Sequence, residues 1–200
     1  MARLQTAIVV AVAVAVAACG GSNSKSTTNG QGLTPALDGG VDPYAEARAY
    51  IDCTKGFRVD FPPVATGATL HETIDEGVRA EMIMRTGPQS ITYSVTWAEL
   101  PQAMIDEKGA KRVLSDARDS RLGKTGTLDD EHEVTISDAK AIELGFHRAS
   151  GVKDQSAGGR VLLVLKGATL FQVAALGNID AGKRDDAKQF LESFRILKCD

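Results

Sequence analysis

Two apolar runs near the carboxyl-terminal end of the sequence constrain the fold more than any other feature. Val161 to Leu165 is apolar throughout, and Leu170 to Leu176 is apolar apart from Gln172. Continuous apolar runs of this length are typical of strands that are covered on both faces. The four residues between them include Gly167, which suits a tight turn. We therefore expect a central β-hairpin with other structure packed on each side of its sheet.

Shorter runs in which apolar and polar residues alternate predict additional strands. The clearest alternation runs from Ile91 to Trp97, where every second residue is large and apolar. Alternation of this kind is the signature of a strand with one buried face. The other predicted strands cover residues 57–61, 68–75, 78–85, 130–137 and 139–149. The polar, glycine-rich stretch from Asp154 to Gly159 is predicted to be a loop.

Two segments change to the spacing of an amphipathic helix, residues 109–122 and 181–193. A third, short helix is predicted to start at Pro43 and to lead into Cys53, because Tyr44, Ala47 and Ile51 recur at helical spacing. Apolar central strands need cover on both faces of their sheet. The expected fold class is therefore α+β, an antiparallel β-sheet flanked by two main helices.

A short apolar segment near the amino terminus ends in a cysteine. Residues 7–17 are all Ala, Val or Ile, and this is shorter than the roughly 20 apolar residues needed to cross a bilayer. The run fits a secretory signal. It ends in Val16-Ala17-Ala18-Cys19, which resembles the lipobox of bacterial lipoproteins. The resemblance implies that residues 1–18 are a cleaved signal peptide and that Cys19 is lipidated. The alternatives are an ordinary secretory signal cut elsewhere and an uncleaved membrane anchor.

The next segment separates this cysteine from the predicted strands. Residues 20–41 are rich in Gly, Ser, Asn and Thr, and they cannot bury enough apolar surface to offset the entropy of ordering. We assign residues 19–42 to the lipidated cysteine and a flexible tether, and residues 43–200 to a single α+β domain. Each acyl methylene buried in a membrane contributes about 0.8 kcal/mol, so two acyl chains on Cys19 are expected to anchor the protein stably.

The chain has three cysteines. If Cys19 carries lipid, Cys53 and Cys199 remain as an even pair in an exported protein. Disulfides persist outside the reducing cytosol, and the ends of a domain often lie close together, so we expect these two residues to be bridged. Two buried or free thiols are the alternative. A shared metal is disfavoured because no third or fourth ligand is spaced nearby.

The charge of the chain excludes one class of partner. The formal net charge is −3 at pH 7, and removal of Arg3 with the signal would make it one unit more negative. A mildly acidic protein offers no basic footprint for nucleic acid. We expect a monomer that contacts a membrane through Cys19 and binds an envelope protein or ligand.

No familiar catalytic motif is present. The sequence has no G-x-S-x-G elbow, no phosphate loop and no G-x-G-x-x-G, and neither His71-Glu72 nor His132-Glu133 is followed by a histidine at zinc-protease spacing. The densest polar cluster is residues 129–133, whose four carboxylates and His132 could bind a divalent cation, although a solvated strand entry explains the pattern more simply. His147 is predicted to be half exposed on a strand, and Trp97 to pack in the core.

A resemblance to a known family rests on several segments in the expected order. Residues 56–197 resemble the PsbP-like domains found in bacterial lipoproteins. The matching segments are Phe57-Arg58-Val59-Asp60-Phe61-Pro62, Tyr93 to Leu100-Pro101, Ala117-Arg118-Asp119, residues 160–176 and residues 185–194. The resemblance implies a PsbP-like α/β/α sandwich and an exported, non-catalytic role in assembly or binding. The lipobox resemblance, with the uncharged Gly20 after Cys19, implies delivery to the outer membrane in a host with two membranes.

These observations together favour a lipid-anchored binding or scaffolding domain in the cell envelope that is not an enzyme. We assign no catalytic residue, no metal ligand and no cofactor. One alternative is a carrier of a small ligand or lipid, with the sheet face near Trp97 lining a cavity. A further alternative is a metal-dependent hydrolase that uses the cluster at 129–133, which requires those side chains to converge in a concave pocket.

Overall fold

The computed structural model describes residues 49–63, 65–75, 78–148 and 156–199. The predicted signal peptide, lipidated cysteine and tether lie outside these residues, as does the start of the helix predicted at Pro43. No helix in the described part of the chain is long and apolar enough to cross a membrane.

Ten strands and three helices make up the described chain. The strands are β1 (Ala49–Asp52), β2 (Phe57–Asp60), β3 (Thr66–Asp75), β4 (Val78–Thr86), β5 (Thr92–Glu99), β6 (Gly126–Ile136), β7 (Ala139–Arg148), β8 (Ala157–Lys166), β9 (Thr169–Asn178) and β10 (Arg195–Ile196). The helices are α1 (Gln102–Lys108), α2 (Ala110–Leu122) and α3 (Asp185–Glu192), with single 3₁₀ turns at Pro88–Ser90 and Ala181–Lys183.

The strands form two antiparallel sheets. The large sheet has seven strands in the order β3-β4-β5-β9-β8-β7-β6, and the small sheet has the order β1-β2-β10. The hairpin β8–β9 lies at the centre of the large sheet, and residues 161–165 are at most 5% exposed. The prediction of a central hairpin that is covered on both faces is therefore confirmed.

Two hydrophobic clusters cover the two faces of the large sheet. One face packs against the small sheet and α3, and we call it the aromatic face because most of the buried rings lie there. The other face packs against α1 and α2 through aliphatic side chains, and we call it the aliphatic face. The predicted α+β class, an antiparallel sheet flanked by helices, is confirmed. The segment predicted as one helix over 181–193 is a 3₁₀ turn followed by α3.

The prediction of a helix leading into Cys53 is wrong for the residues of this segment that the structure describes, because they form a strand. Tyr50 and Ile51 lie in β1, where they pair with Val59 and Arg58 of β2. The ring of Tyr50 packs against Phe57 at 5.7 Å between centroids, while Ile51 points to solvent. The hydrogen bonds offered by β2 therefore override the helical spacing, since pairing between distant segments is invisible to local periodicity.

The loop predicted over 154–159 is wrong at its described end as well, because β8 already begins at Ala157. Gly158 and Gly159 continue the strand, and the turn at 181–183 lies directly on them. A Cβ atom added to Gly182 would be 2.7 Å from backbone atoms of Gly159. Because glycine has no side chain, the two backbones can approach closely here, which is a common reason for glycine within a strand.

Candidate functional site

A groove lies on the aliphatic face, between α2 and the outer strands β6 and β7. Its volume is about 470 Å³, within the range of small-molecule sites. The residues that line it are Lys111, Leu114, Ser115, Arg118, Glu131, Glu133, Val134, Thr135, Lys140, Ala141 and Ile142. The groove therefore combines one helix and two strands that are distant in sequence.

The amphipathic character of α2 builds one wall of the groove. Leu114 is buried in the aliphatic cluster, and Ile142 of β7 belongs to the same cluster. Ser115 and Arg118 follow on the helix, and the Arg118 guanidinium donates a hydrogen bond to Ser115 Oγ at 3.1 Å. The groove thus has an apolar floor below a polar rim.

Ion pairs join the rim across the groove. Arg118 lies 3.1 Å from Glu131, and Lys111 lies 3.2 Å from Glu133. The hydrogen bond from Arg118 to Asp119, and then the contacts with Glu131, hold the pKa of Arg118 above its usual value. Both pairs connect α2 to the edge strand β6, so they fix the width of the groove.

The cluster at 129–133 does not converge. Because side chains alternate along a strand, Glu131 and Glu133 point toward α2, while Asp130 and His132 point to the opposite face of the sheet. Asp130 pairs with Arg160 at 2.8 Å, and the His132 side chain is 64% exposed. Among the residues that the structure describes, no group of three or more His, Cys, Asp or Glu side chains could hold a metal ion. The geometry that the hydrolase alternative requires is not found at this cluster.

The remaining sequence candidates lie away from the groove. His147 is half exposed on β7, as predicted, with its Nδ1 2.6 Å from a carboxylate oxygen of Asp129. Trp97 is 2% exposed and packs against Phe57 at 5.2 Å between ring centroids. Trp97 therefore packs in the core, as predicted, and does not line a cavity in the manner that the carrier alternative requires.

A disulfide joins Cys53, just after β1, to Cys199, just after β10. Their Cα atoms are 5.4 Å apart, although 146 positions separate the two residues in sequence. Both flanking strands pair with β2, and this pairing brings the cysteines together. The disulfide predicted from the cysteine count is present.

Sequence reasoning missed the groove itself. Lys111 and Arg118 were recognisable only as the polar side of a helix, and Lys140 only as a polar position on a strand. The ion pairs of the rim join residues that are 13 to 22 positions apart, with a turn between them, so periodicity within one segment contains no sign of the contact. The available signal was the opposite charge of α2 and β6.

The comparisons with known proteins bear on the fold. No protein-family model matches the chain, and no curated protein matches its sequence. The solution structure of the cyanobacterial PsbP protein CyanoP, from Synechocystis, is similar, with a TM-score of 0.52 and 13% sequence identity over 80% of this chain and 98% of that one. This likeness shows a PsbP-like fold, as the sequence predicted.

A second solved structure is more distant. The crystal structure of LpqN, described as involved in cell envelope biogenesis of Mycobacterium tuberculosis, has 17% sequence identity and covers 66% of this chain and 85% of that chain. Its TM-score is 0.38, and a likeness of that size supports no inference about this protein.

Proposed function

We propose that this protein is an exported lipoprotein, held to a membrane of the cell envelope by acyl chains on Cys19, whose folded domain binds or scaffolds an envelope component without catalysis. The observation that supports it most is the disposition of the three cysteines. Cys53 and Cys199 are joined in a disulfide, which suits an oxidising compartment outside the cytosol. The remaining cysteine, Cys19, stands where a lipobox has its lipidated residue.

The groove supports binding more than catalysis. Ser115 and Thr135 are the hydroxyl residues among its lining. The partner of Ser115 is the Arg118 guanidinium, which donates to Oγ and has no lone pair with which to accept a proton. A serine nucleophile needs a base at that position. The carboxylates on the rim, Glu131 and Glu133, are each engaged by a cation of α2. The site thus has features of recognition and lacks an activated nucleophile at Ser115.

A carrier of a small ligand or lipid is the second candidate, and one observation favours it. The groove has an apolar floor and a volume of about 470 Å³, enough for a small molecule with an apolar part. In this version of the proposal, the ligand site is on the aliphatic face and not near Trp97.

The anchoring is tested with the full chain carrying Cys19→Ala, expressed in a bacterial host and labelled with a fatty acid. We expect the variant to lose the acyl label and to leave the membrane fraction, because two acyl chains supply the affinity. Cys53→Ser is the matched control and is expected to keep the label. If the same share of Cys19→Ala as of the parent protein were recovered in the membrane fraction, the proposal would be contradicted.

The role of the groove is tested by filling it. We expect Ser115→Trp to abolish co-purification of an envelope component with the native protein, since the indole would occupy the space above Leu114. Gln102→Trp, on the exposed surface of α1, is the matched control and should retain the component. Equal recovery with both variants would remove the groove from the proposed function.

A further inference from the structure

Two arginines meet at one corner of the aliphatic face, away from the lining of the groove. Arg121 lies in the last turn of α2, and Arg148 is the last residue of β7. Their guanidinium carbons lie 5.6 Å and 5.9 Å from the ring centroid of Phe146. An Nη2 hydrogen bond from Arg148 to the backbone carbonyl of Arg121 joins the two residues directly. Two positive charges are therefore fixed beside one aromatic ring.

The two side chains are partly buried without an acidic partner. The Nε atoms of Arg121 and Arg148 are both buried and have no hydrogen-bond partner among the described residues. Burial, and then the neighbouring charge of Arg148, lower the pKa of Arg121 to about 10. Within the described ranges, no carboxylate lies at ion-pair distance from either guanidinium. A desolvated cation without a counter-charge is costly.

Six other arginines of the described chain are compensated. Those with a carboxylate at ion-pair distance are Arg58, Arg79, Arg112, Arg118, Arg160 and Arg184. Arg160 is the most informative comparison, since its side chain is only 15% exposed and it contacts both Asp130 and Glu143. Among the residues that the structure describes, the lack of an acid at Arg121 and Arg148 thus sets this corner apart from those six arginines.

The arrangement around the two arginines suits an anion that also has an apolar part. Lys124, a further cation, is exposed two residues beyond the end of α2. Leu128 is 39% exposed and pairs with Phe146 in the register of β6 and β7. The carbonyl end of α2 has a partial negative charge that opposes an anion. The hydrogen bond from Arg148 to the Arg121 carbonyl offsets part of that charge.

We propose that Arg121 and Arg148 bind the phosphate group of a phosphate-bearing ligand. Guanidinium groups present planar pairs of donors that match phosphate oxygens, and one phosphate can receive hydrogen bonds from both. The phosphate belongs either to a phospholipid headgroup, with Leu128 against its apolar part, or to a soluble phosphate ester. The proposal is independent of the anchoring at Cys19 and of the groove.

The test uses the full chain with Cys19→Ala, so that acyl chains do not mask binding to vesicles. One arm titrates inorganic phosphate and glycerol phosphate by calorimetry, and the other measures sedimentation with phosphatidylglycerol or phosphatidylcholine vesicles. Binding of the soluble phosphates assigns the site to a soluble ester. Binding to phosphatidylglycerol vesicles alone assigns it to a lipid headgroup.

The matched variants are Arg121→Gln and Arg112→Gln, which each remove one arginine from α2. We expect Arg121→Gln to weaken binding roughly tenfold or more, the worth of charge-assisted hydrogen bonds to one guanidinium. Arg112→Gln, whose arginine is exposed and paired with Asp116, should bind like the parent. Arg121→Lys should recover only part of the affinity, because a lysine keeps the charge and loses the planar donor pair.

Two results would overturn the proposal. The first is that neither soluble phosphates nor phosphatidylglycerol vesicles bind the parent chain. The second is that Arg121→Gln and Arg112→Gln bind equally well. This result would show that binding depends on the net charge of the protein and not on Arg121. Circular dichroism of each variant distinguishes loss of binding from loss of folding.

Discussion

The two faces of the seven-stranded sheet differ in what covers them. The aromatic face is covered by the small sheet and α3, and it contains the buried rings of Phe57, Phe61, Tyr93, Trp97, Phe171, Phe190 and Phe194. The aliphatic face is covered by α1 and α2 and contains a single buried ring, Phe146, within its cluster. The groove and the Arg121–Arg148 pair are both on the aliphatic face, where the two arginines flank Phe146. The aromatic face thus has the denser packing of rings, and the groove lies on the opposite face.

The physical basis of this division is the way rings pack. Phe57 lies within 6 Å of four other rings, those of Tyr50, Trp97, Phe171 and Phe194. Aromatic side chains bury large areas, and paired rings gain additional energy from their geometry. The aliphatic face is covered by a helix of 13 residues whose polar side borders the groove. The groove opens between that helix and the sheet.

The largest expected effect concerns the disulfide at the rim of the aromatic face. A chain with Cys53→Ser and Cys199→Ser should lose about 4–5 kcal/mol of unfolding free energy, because the bridge closes a long loop in the unfolded chain. Denaturant titration of both proteins measures the loss. A change below about 1 kcal/mol would show that the small sheet is held without the bridge, and the division between the faces would weaken.

The next effect compares a truncation on each face. Phe57→Ala should cost about 3–5 kcal/mol, since it removes the ring at the centre of the aromatic cluster. Leu114→Ala should cost about 2 kcal/mol, the low end for such a change, because the side chain borders an open groove. Both values come from the same denaturant titration. Equal losses of unfolding free energy for the two variants would contradict the proposed difference between the two faces.

Much of the fold was accessible from the sequence because its strongest elements have local signals. The apolar runs at 161–165 and 170–176 predict the central hairpin without knowledge of its neighbours. The helix predicted at 109–122 is α2, since its apolar spacing and the glycines at either end are local signals too. The PsbP-like order of segments then indicated how these elements are arranged.

The remaining features depend on contacts between distant segments. β1 looked like part of a helix because its partner β2 is not visible in its own spacing. The cluster at 129–133 looked like one site because adjacent residues in a strand point to opposite faces of the sheet. Arg121 and Arg148 are 27 positions apart. Their proximity follows from the packing of α2 on β7, which no motif predicts.

A smaller effect tests whether charge compensation differs between the faces. Arg160→Met should lose about 2 kcal/mol, because Asp130 and Glu143 would be left facing each other without a cation. Arg121→Met should stay within about 1 kcal/mol of the parent or exceed it, because it removes a desolvated charge with no acid partner in the described part of the chain. Thermal and denaturant unfolding of the two variants measure the contrast. A greater loss for Arg121→Met would contradict the distinction.

The smallest effect requires alkaline pH and concerns Tyr93 on the aromatic face. Burial, and then the neighbouring Asp186 carboxylate, raise the pKa of Tyr93 to about 12 from its ordinary value of 10.0. The folded chain then keeps the phenol proton while the unfolded chain loses it, so stability falls as the pH rises from about 10 toward 12. The loss should reach about 1 kcal/mol by pH 11. Tyr93→Phe should reduce this fall, and an unchanged slope would show that the phenol is not responsible.

The bridge between Cys53 and Cys199 has a further consequence, because it turns most of the described chain into one covalent ring. A protease that cuts a single peptide bond anywhere inside that ring linearises it and releases no fragment. The two pieces would separate on a gel only after reduction. A protein exposed to extracellular proteases would in this way keep a nicked body attached to its own amino-terminal segment.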